Sequence, residues 1–180
     1  MKLIDLKKKT LALIEEINTS EASLTDDPDI AAKLPYVINQ VLFELARFKK
    51  IPGYYQIDVE KDDIFDLTSL DNFYQLNIIK NVEYDHLDDT HVEFLEDGNA
   101  LIKYYKYPER ITPNSNDNME LDLSDDALEI APYGIAADVL KADVSNQYGT
   151  IYERRYREML QMLDSRYTLG TVEFDGGLEI

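Results

Sequence analysis

The chain has 180 residues and a mass of 20.8 kDa, enough for one well-buried domain that removes roughly 70% of its unfolded surface on folding. Its 36 acidic and 18 basic side chains leave a formal net charge of -18, which repels a phosphate backbone and argues against sequence-specific nucleic-acid binding. The sequence has no run of about 18 apolar residues, which excludes a helical membrane span, and no cysteine, which removes disulfides, thiolate nucleophiles and thiolate metal sites together.

Leu3, Leu6, Thr10, Leu11, Leu13, Ile14 and Ile17 fall near helical spacing. Residues 3 to 18 therefore read as an amphipathic helix, with Lys7, Lys8 and Lys9 turned to solvent or a partner. The opening Met1-Lys2-Leu3-Ile4 leads into this pattern and not into a signal-peptide apolar core, so a cytoplasmic protein is expected. Asp27-Pro28 offers an N-cap with proline at the first helical position, where a missing donor costs nothing. Pro35 is expected to restart or kink this second helix. Val37, Ile38, Val41, Leu42, Leu45 and Phe48 carry its apolar stripe, and Lys49-Lys50 followed by Pro52-Gly53 closes it.

Residues 54 to 107 change period. YYQIDVE, DIFDL, FYQLNIIKNVEY, HVEFLED and ALIKYYKY are short aromatic and β-branched segments separated by polar turns, and they predict one small antiparallel sheet unit. Asp97-Gly98-Asn99 is the expected hairpin connection between the last two. Pro108 ends the final strand, and Pro113 with Asn114, Ser115, Asn116 and Asp117 forms a turn-rich connection.

Helix returns at Ser124, an N-cap whose following Asp125 and Asp126 suit the positive end of a helix dipole. Ala127, Ala131, Gly134, Ala136 and Ala137 make that helix thin, and Pro132 is expected to bend it. Ser145 caps the next helix, where Tyr148, Tyr152, Tyr156, Met159, Leu160 and Leu163 recur at three- and four-residue steps. TVEFDGGLEI at 171 to 180 is too short to fold alone and reads as a mobile end or a strand that pairs elsewhere.

The predicted fold class is α+β: a helical bundle of about four helices with an inserted small antiparallel β domain and a C-terminal strand-like tail. Residues 1–52 and 111–166 form the bundle, 53–110 the β unit and 167–180 the extension.

Chemistry is thinly signalled. His86 and His91 flank Asp88 and Asp89, which could hold a divalent ion, but the spacing matches no ligand motif and a solvated loop is the better reading. The pairs Asp26-Asp27 and Asp62-Asp63 open no EF-hand loop, and Asp85, Asp88, Asp89 and Glu93 lack its glycine and terminal glutamate. No nucleophile elbow, P-loop, dinucleotide fingerprint or H-E-x-x-H occurs. A carboxylate pair could serve a hydrolase, but nothing in the sequence supplies its distance or raised pKa. The expectation is a non-enzyme with no cofactor, no metal site and no catalytic residue. Thirteen tyrosines without tryptophan suit a sheet face such as Tyr104, Tyr105 and Tyr107, or surfaces buried on assembly.

Tyr104-Tyr105-Lys106-Tyr107-Pro108-Glu109-Arg110-Ile111-Thr112, the acidic Asp122 to Asp126, APYGIAADVLKAD at 131 to 143 and the YGTIYERRYREML helix together resemble the head-tail adaptor, or connector, proteins of tailed bacteriophages. Asp71-Asn72-Phe73-Tyr74 is similar to the strand start in their β unit. The resemblance implies a helical bundle with an inserted β domain, assembled as a homo-oligomeric ring, commonly dodecameric, between the portal protein and the tail. It further implies a virion neck protein made in the host cytoplasm, through whose ring DNA passes without sequence-specific binding. Because C-terminal segments of such adaptors reach into the portal, it points to Tyr167, Val172, Phe174, Leu178 and Ile180 as partner interface. The charge alone supports a different expectation, an acidic DNA mimic or other protein-binding module acting on a host protein.

Overall fold

In the computed structural model the described residues are 1–18, 24–141 and 147–165. They form a mixed α+β fold of four helices and two small antiparallel sheets. The chain runs α1 (Leu3–Leu13), α2 (Pro28–Phe48), β1 (Ile51–Val59), β2 (Ile64–Asp66), a 3-10 turn (Leu67–Ser69), β3 (Phe73–Lys80), β4 (Tyr84–His86), β5 (His91–Phe94), β6 (Gly98–Lys106), α3 (Asp125–Leu140) and α4 (Gln147–Ser165).

Helix α1 is shorter than its apolar pattern. Glu15 takes a left-handed φ of 60°, the Glu15 N–H donates to Ala12 O, and the Glu16 N–H donates to Leu11 O at 3.0 Å. This is a Schellman closure made without the usual glycine, so no sequence signal marks it. Of the three lysines, Lys7 is largely buried and pairs with Asp117 at 2.6 Å, while Lys9 reaches Glu129 at 2.6 Å. Two of the three thus hold the chain together.

Helix α2 starts as its sequence predicts, with Asp27 Oδ1 accepting from the N–H groups of Asp29 at 2.8 Å and Ile30 at 3.1 Å. It continues through Pro35 and does not restart there, and α3 likewise runs unbroken through Pro132. Both prolines are buried, so packing against neighbouring helices offsets the lost hydrogen bond.

Helix α3 packs against α1, α2 and α4. Its alanines, glycine and aliphatics are buried on nearly every side, as expected of a helix hydrophobic all round. One apolar core gathers Leu3 and Leu6, the α2 stripe from Leu34 to Ala46, Ile51, Ile111, the α3 interior, and Tyr156 and Leu163 of α4. Gly134 lets α4 approach: a Cβ placed there would lie 2.9 Å from the Tyr156 ring.

The β segment is two sheets where the sequence predicts one. Strands β1-β6-β3 form the first and β2-β5-β4 the second. Strand β1 begins at Ile51, so Pro52-Gly53 lies inside a strand instead of merely ending a helix. Proline is tolerated there because β1 is an edge, and Gly53 leaves room for Tyr104, whose ring sits 2.6 Å from where a Cβ would be. The predicted hairpin at Asp97-Gly98-Asn99 is absent. Strand β5 pairs with β2 and β4, whereas β6 pairs with β1 and β3, so residues 95–97 carry the chain from one sheet to the other. The inner faces share a second core, with Ile79, Ala100, Ile102 and Tyr104 meeting Val92 and Phe94. Tyr55 stacks on Phe65 across it at 6.0 Å.

An aromatic seam joins the two cores. The Tyr107 ring stacks on Phe43 of α2 at 5.2 Å and meets Tyr74 of β3 at 4.7 Å. Beyond it, Asn39 of α2 donates to Ile111 O at 2.6 Å and accepts from Ile111 N–H at 2.7 Å.

Candidate functional site

Several of the acids weighed for ion binding in the sequence are engaged locally. His86 ends β4 and His91 begins β5. Between them Asp88 Oδ1 accepts from Thr90 N–H at 2.7 Å, Thr90 Oγ1 at 2.9 Å and His91 N–H at 2.7 Å, and His91 Nδ1 lies 3.0 Å from both carboxylate oxygens. The Thr90 backbone N–H, then the His91 ring and the Thr90 hydroxyl, hold the Asp88 carboxyl well below the usual carboxylate range. This is a self-satisfied Asx turn. Asp27 caps α2, Asp26 accepts from Asn18 at 2.6 Å, and Asp63 accepts from Glu60 N–H at 2.8 Å. Among the described residues, no group of three or more His, Asp or Glu side chains is placed to hold a metal.

The acids at the start of α3 act locally. Ser124 Oγ donates to Asp126, Asp126 accepts from Ala127 N–H at 3.1 Å, and Lys49 pairs with it at 3.0 Å. The Ser124 hydroxyl, followed by the Lys49 ammonium, lowers the Asp126 pKa. Ser124 occupies the expected N-cap position, but its side chain serves Asp126 and not a backbone donor.

A polar cluster centred on the buried Tyr156 lies where α2, α3 and α4 meet. Tyr156 is 5% exposed and its hydroxyl donates to Glu44 Oε2 at 2.9 Å. Burial first, then the Glu44 charge, pushes the phenol far up, so it stays a donor. Burial also raises the Asp138 carboxyl, against the opposing pull of Lys141. The arrangement ties α4 to α2 through the Tyr156–Glu44 hydrogen bond.

Two open grooves flank the helical body. One, of about 360 Å³, runs between α2 and the 110–113 segment and is lined by Tyr36, Asn39, Phe43, Arg110 and Pro113. The other, of about 390 Å³, lies between α3 and α4 beside Tyr133, Ile151, Arg154 and Arg155. Neither brings together a nucleophile, a base and an anion-stabilising group. No protein-family model matches the chain, and no curated protein matches it. Both grooves are lined by tyrosine and arginine, residue types enriched at interfaces.

The interface residues expected from the C-terminal segment, Tyr167, Val172, Phe174, Leu178 and Ile180, lie outside the described residues, as does Ser145. The first groove escapes sequence reading because it joins segments far apart in the chain, Tyr36 to Arg110. Exposed large side chains give a partial signal only once burial is known, with Tyr36 at 70% and Met162 at 67%. Among the described residues, no helix is long and apolar enough to cross a membrane.

Proposed function

We propose that this chain is a structural head-to-tail adaptor of a tailed phage virion, a helical bundle with an inserted β domain that assembles as a ring between portal and tail. The observation that carries this reading is the order of the two cores. The chain builds α1 and α2, leaves at Ile51 to build a separate β core, returns at Tyr107, and completes the first core with α3 and α4. Such a body with a β excursion offers two separate units for contacts with neighbouring copies and with portal and tail. A charge of -18 suits a lumen that DNA crosses without adhering to the wall. A heterologous contact repeated around a closed rotation makes the ring.

Purified virions test the reading directly. Immunogold labelling should place the chain at the portal vertex, and the recombinant chain should bind isolated portal and appear as rings by negative stain. Absence from virions together with competition against DNA for a basic host protein would instead support the acidic-mimic reading.

A further inference from the structure

The two sheets turn opposite faces outward, and those faces differ in chemistry. Side chains alternate across a strand, and directly paired residues share a face. Tyr54 pairs with Lys103, Gln75 with Tyr105, and Ile78 with Lys103, so these stand together on the outside of the first sheet. Lys80 lies on the same side, paired with Leu101. Lys50 sits 4.4 Å above the Tyr105 ring and Lys103 5.7 Å from that of Tyr54. The one acid at this face, Asp58 at its far end, accepts from Asn99 at 2.6 Å. Among the described residues, Lys50, Lys80 and Lys103 form no ion pair. Tyr54 is 63% exposed.

The second sheet is the reverse. Ile64 pairs with Glu93, Glu93 with Asp85, and Asp66 with His91, which sets three carboxylates on the outer face. Two aliphatic side chains stand among them, Ile64 at 62% and Leu87 at 50% exposure. Because both sheets close over one core, the basic aromatic face and the acidic aliphatic face point away from each other on a single rigid unit.

We infer that a second copy of this chain docks its acidic β2-β5-β4 face on the basic β1-β6-β3 face, a head-to-tail contact that leaves one of each face free for further copies. Charge complementarity selects this occupant. A basic patch on a chain with a twofold excess of acids finds its matching surface on its own molecule, and exposed tyrosine and isoleucine supply apolar area at the centre. The overall charge of -18 does not prevent it, since at physiological salt charges more than about 8 Å apart are largely screened and the local faces decide. The contact is heterologous, so it propagates as a ring or a filament and never closes as a twofold dimer. It would give the adaptor ring its seam and rests on that reading for its purpose.

Sedimentation velocity of the full chain over a concentration series tests the contact. The unmodified protein should associate, whereas Lys80→Glu/Lys103→Glu and Asp85→Lys/Glu93→Lys should each weaken association about tenfold or more. Mixed in equal amounts, the two variants should associate again, because each retains the face that the other has lost. Circular dichroism checks that both remain folded; if either unfolds, Tyr54→Ser and Ile64→Ser remove the apolar centres without changing charge and should weaken association likewise. A monomer at all concentrations, or association indifferent to these changes, would overturn the inference. Intact self-association with no portal binding would sink the adaptor reading and leave this contact standing.

Discussion

Asn39 and Ile111, 72 positions apart, exchange two hydrogen bonds in which a side-chain amide imitates a strand neighbour. The pairing anchors the chain returning from the β sheets to the middle of α2. It satisfies both backbone groups of a residue that is only 2% exposed. Buried backbone groups demand such partners wherever no ladder supplies them.

Replacing Asn39 with Leu should therefore cost about 1–3 kcal/mol, the penalty for leaving a buried donor and acceptor unsatisfied. Urea denaturation should show a lower midpoint with an unchanged slope. Asn39→Asp retains the acceptor for Ile111 N–H but turns a carboxylate oxygen towards Ile111 O, so it should also destabilise at neutral pH.

Gly134→Ala sets two terms against each other. Alanine favours a helix interior over glycine by about 1 kcal/mol, but its methyl group would press on the Tyr156 ring at 2.9 to 3.1 Å, and overpacking costs about 1–3 kcal/mol. Net destabilisation is expected. Tyr156→Leu in the same background should recover part of it, which a thermal melt of single and double variants would measure.

These sites also mark what the sequence revealed and what it withheld. Asp27-Pro28 and the Leu34 to Leu45 stripe announce α2 because capping and helical period are local. The alanine and glycine positions of α3 announce close approach for the same reason. The division of the strands into two sheets is hidden, since β5 and β6 are adjacent in sequence and carry a turn signal, yet long-range pairing with β1 and β2 overrides it. Glu15 ends α1 in a conformation for which glycine is the usual marker. Asp88 and His91 read as a solvated loop in the sequence, but residue type does not show that Thr90 and the His91 N–H close on the Asp88 carboxylate.

Asp27→Ala removes the acceptor for two N–H groups at the start of α2 and should destabilise the fold by about 1 kcal/mol. For a chain of this size that corresponds to a melting temperature lower by about 2–4 °C. Asp27→Ser should restore most of the loss in calorimetry.

Asp138 gives a pH signature. Burial raises its folded pKa above the unfolded 3.8, so holding it ionised in the folded state opposes folding. That penalty is full above the folded pKa and disappears as pH falls to the unfolded value. Asp138→Asn should accordingly raise the melting temperature at neutral pH, with the gain shrinking as the buffer is acidified towards 3.8. A gain that grows on acidification would contradict this sign.

Ile51 pairs with Lys106, so the strands that leave the helical body and return to it run side by side. Seen from the helices, everything between those residues closes a gap one strand spacing wide, as a hairpin would. Loop-closure cost rises only slowly with length, so the helical core is indifferent to how much polypeptide lies beyond that doorway. Lengthening or shortening the β portion away from the Tyr74–Tyr107 seam would therefore leave the closure of α1 to α4 nearly unchanged.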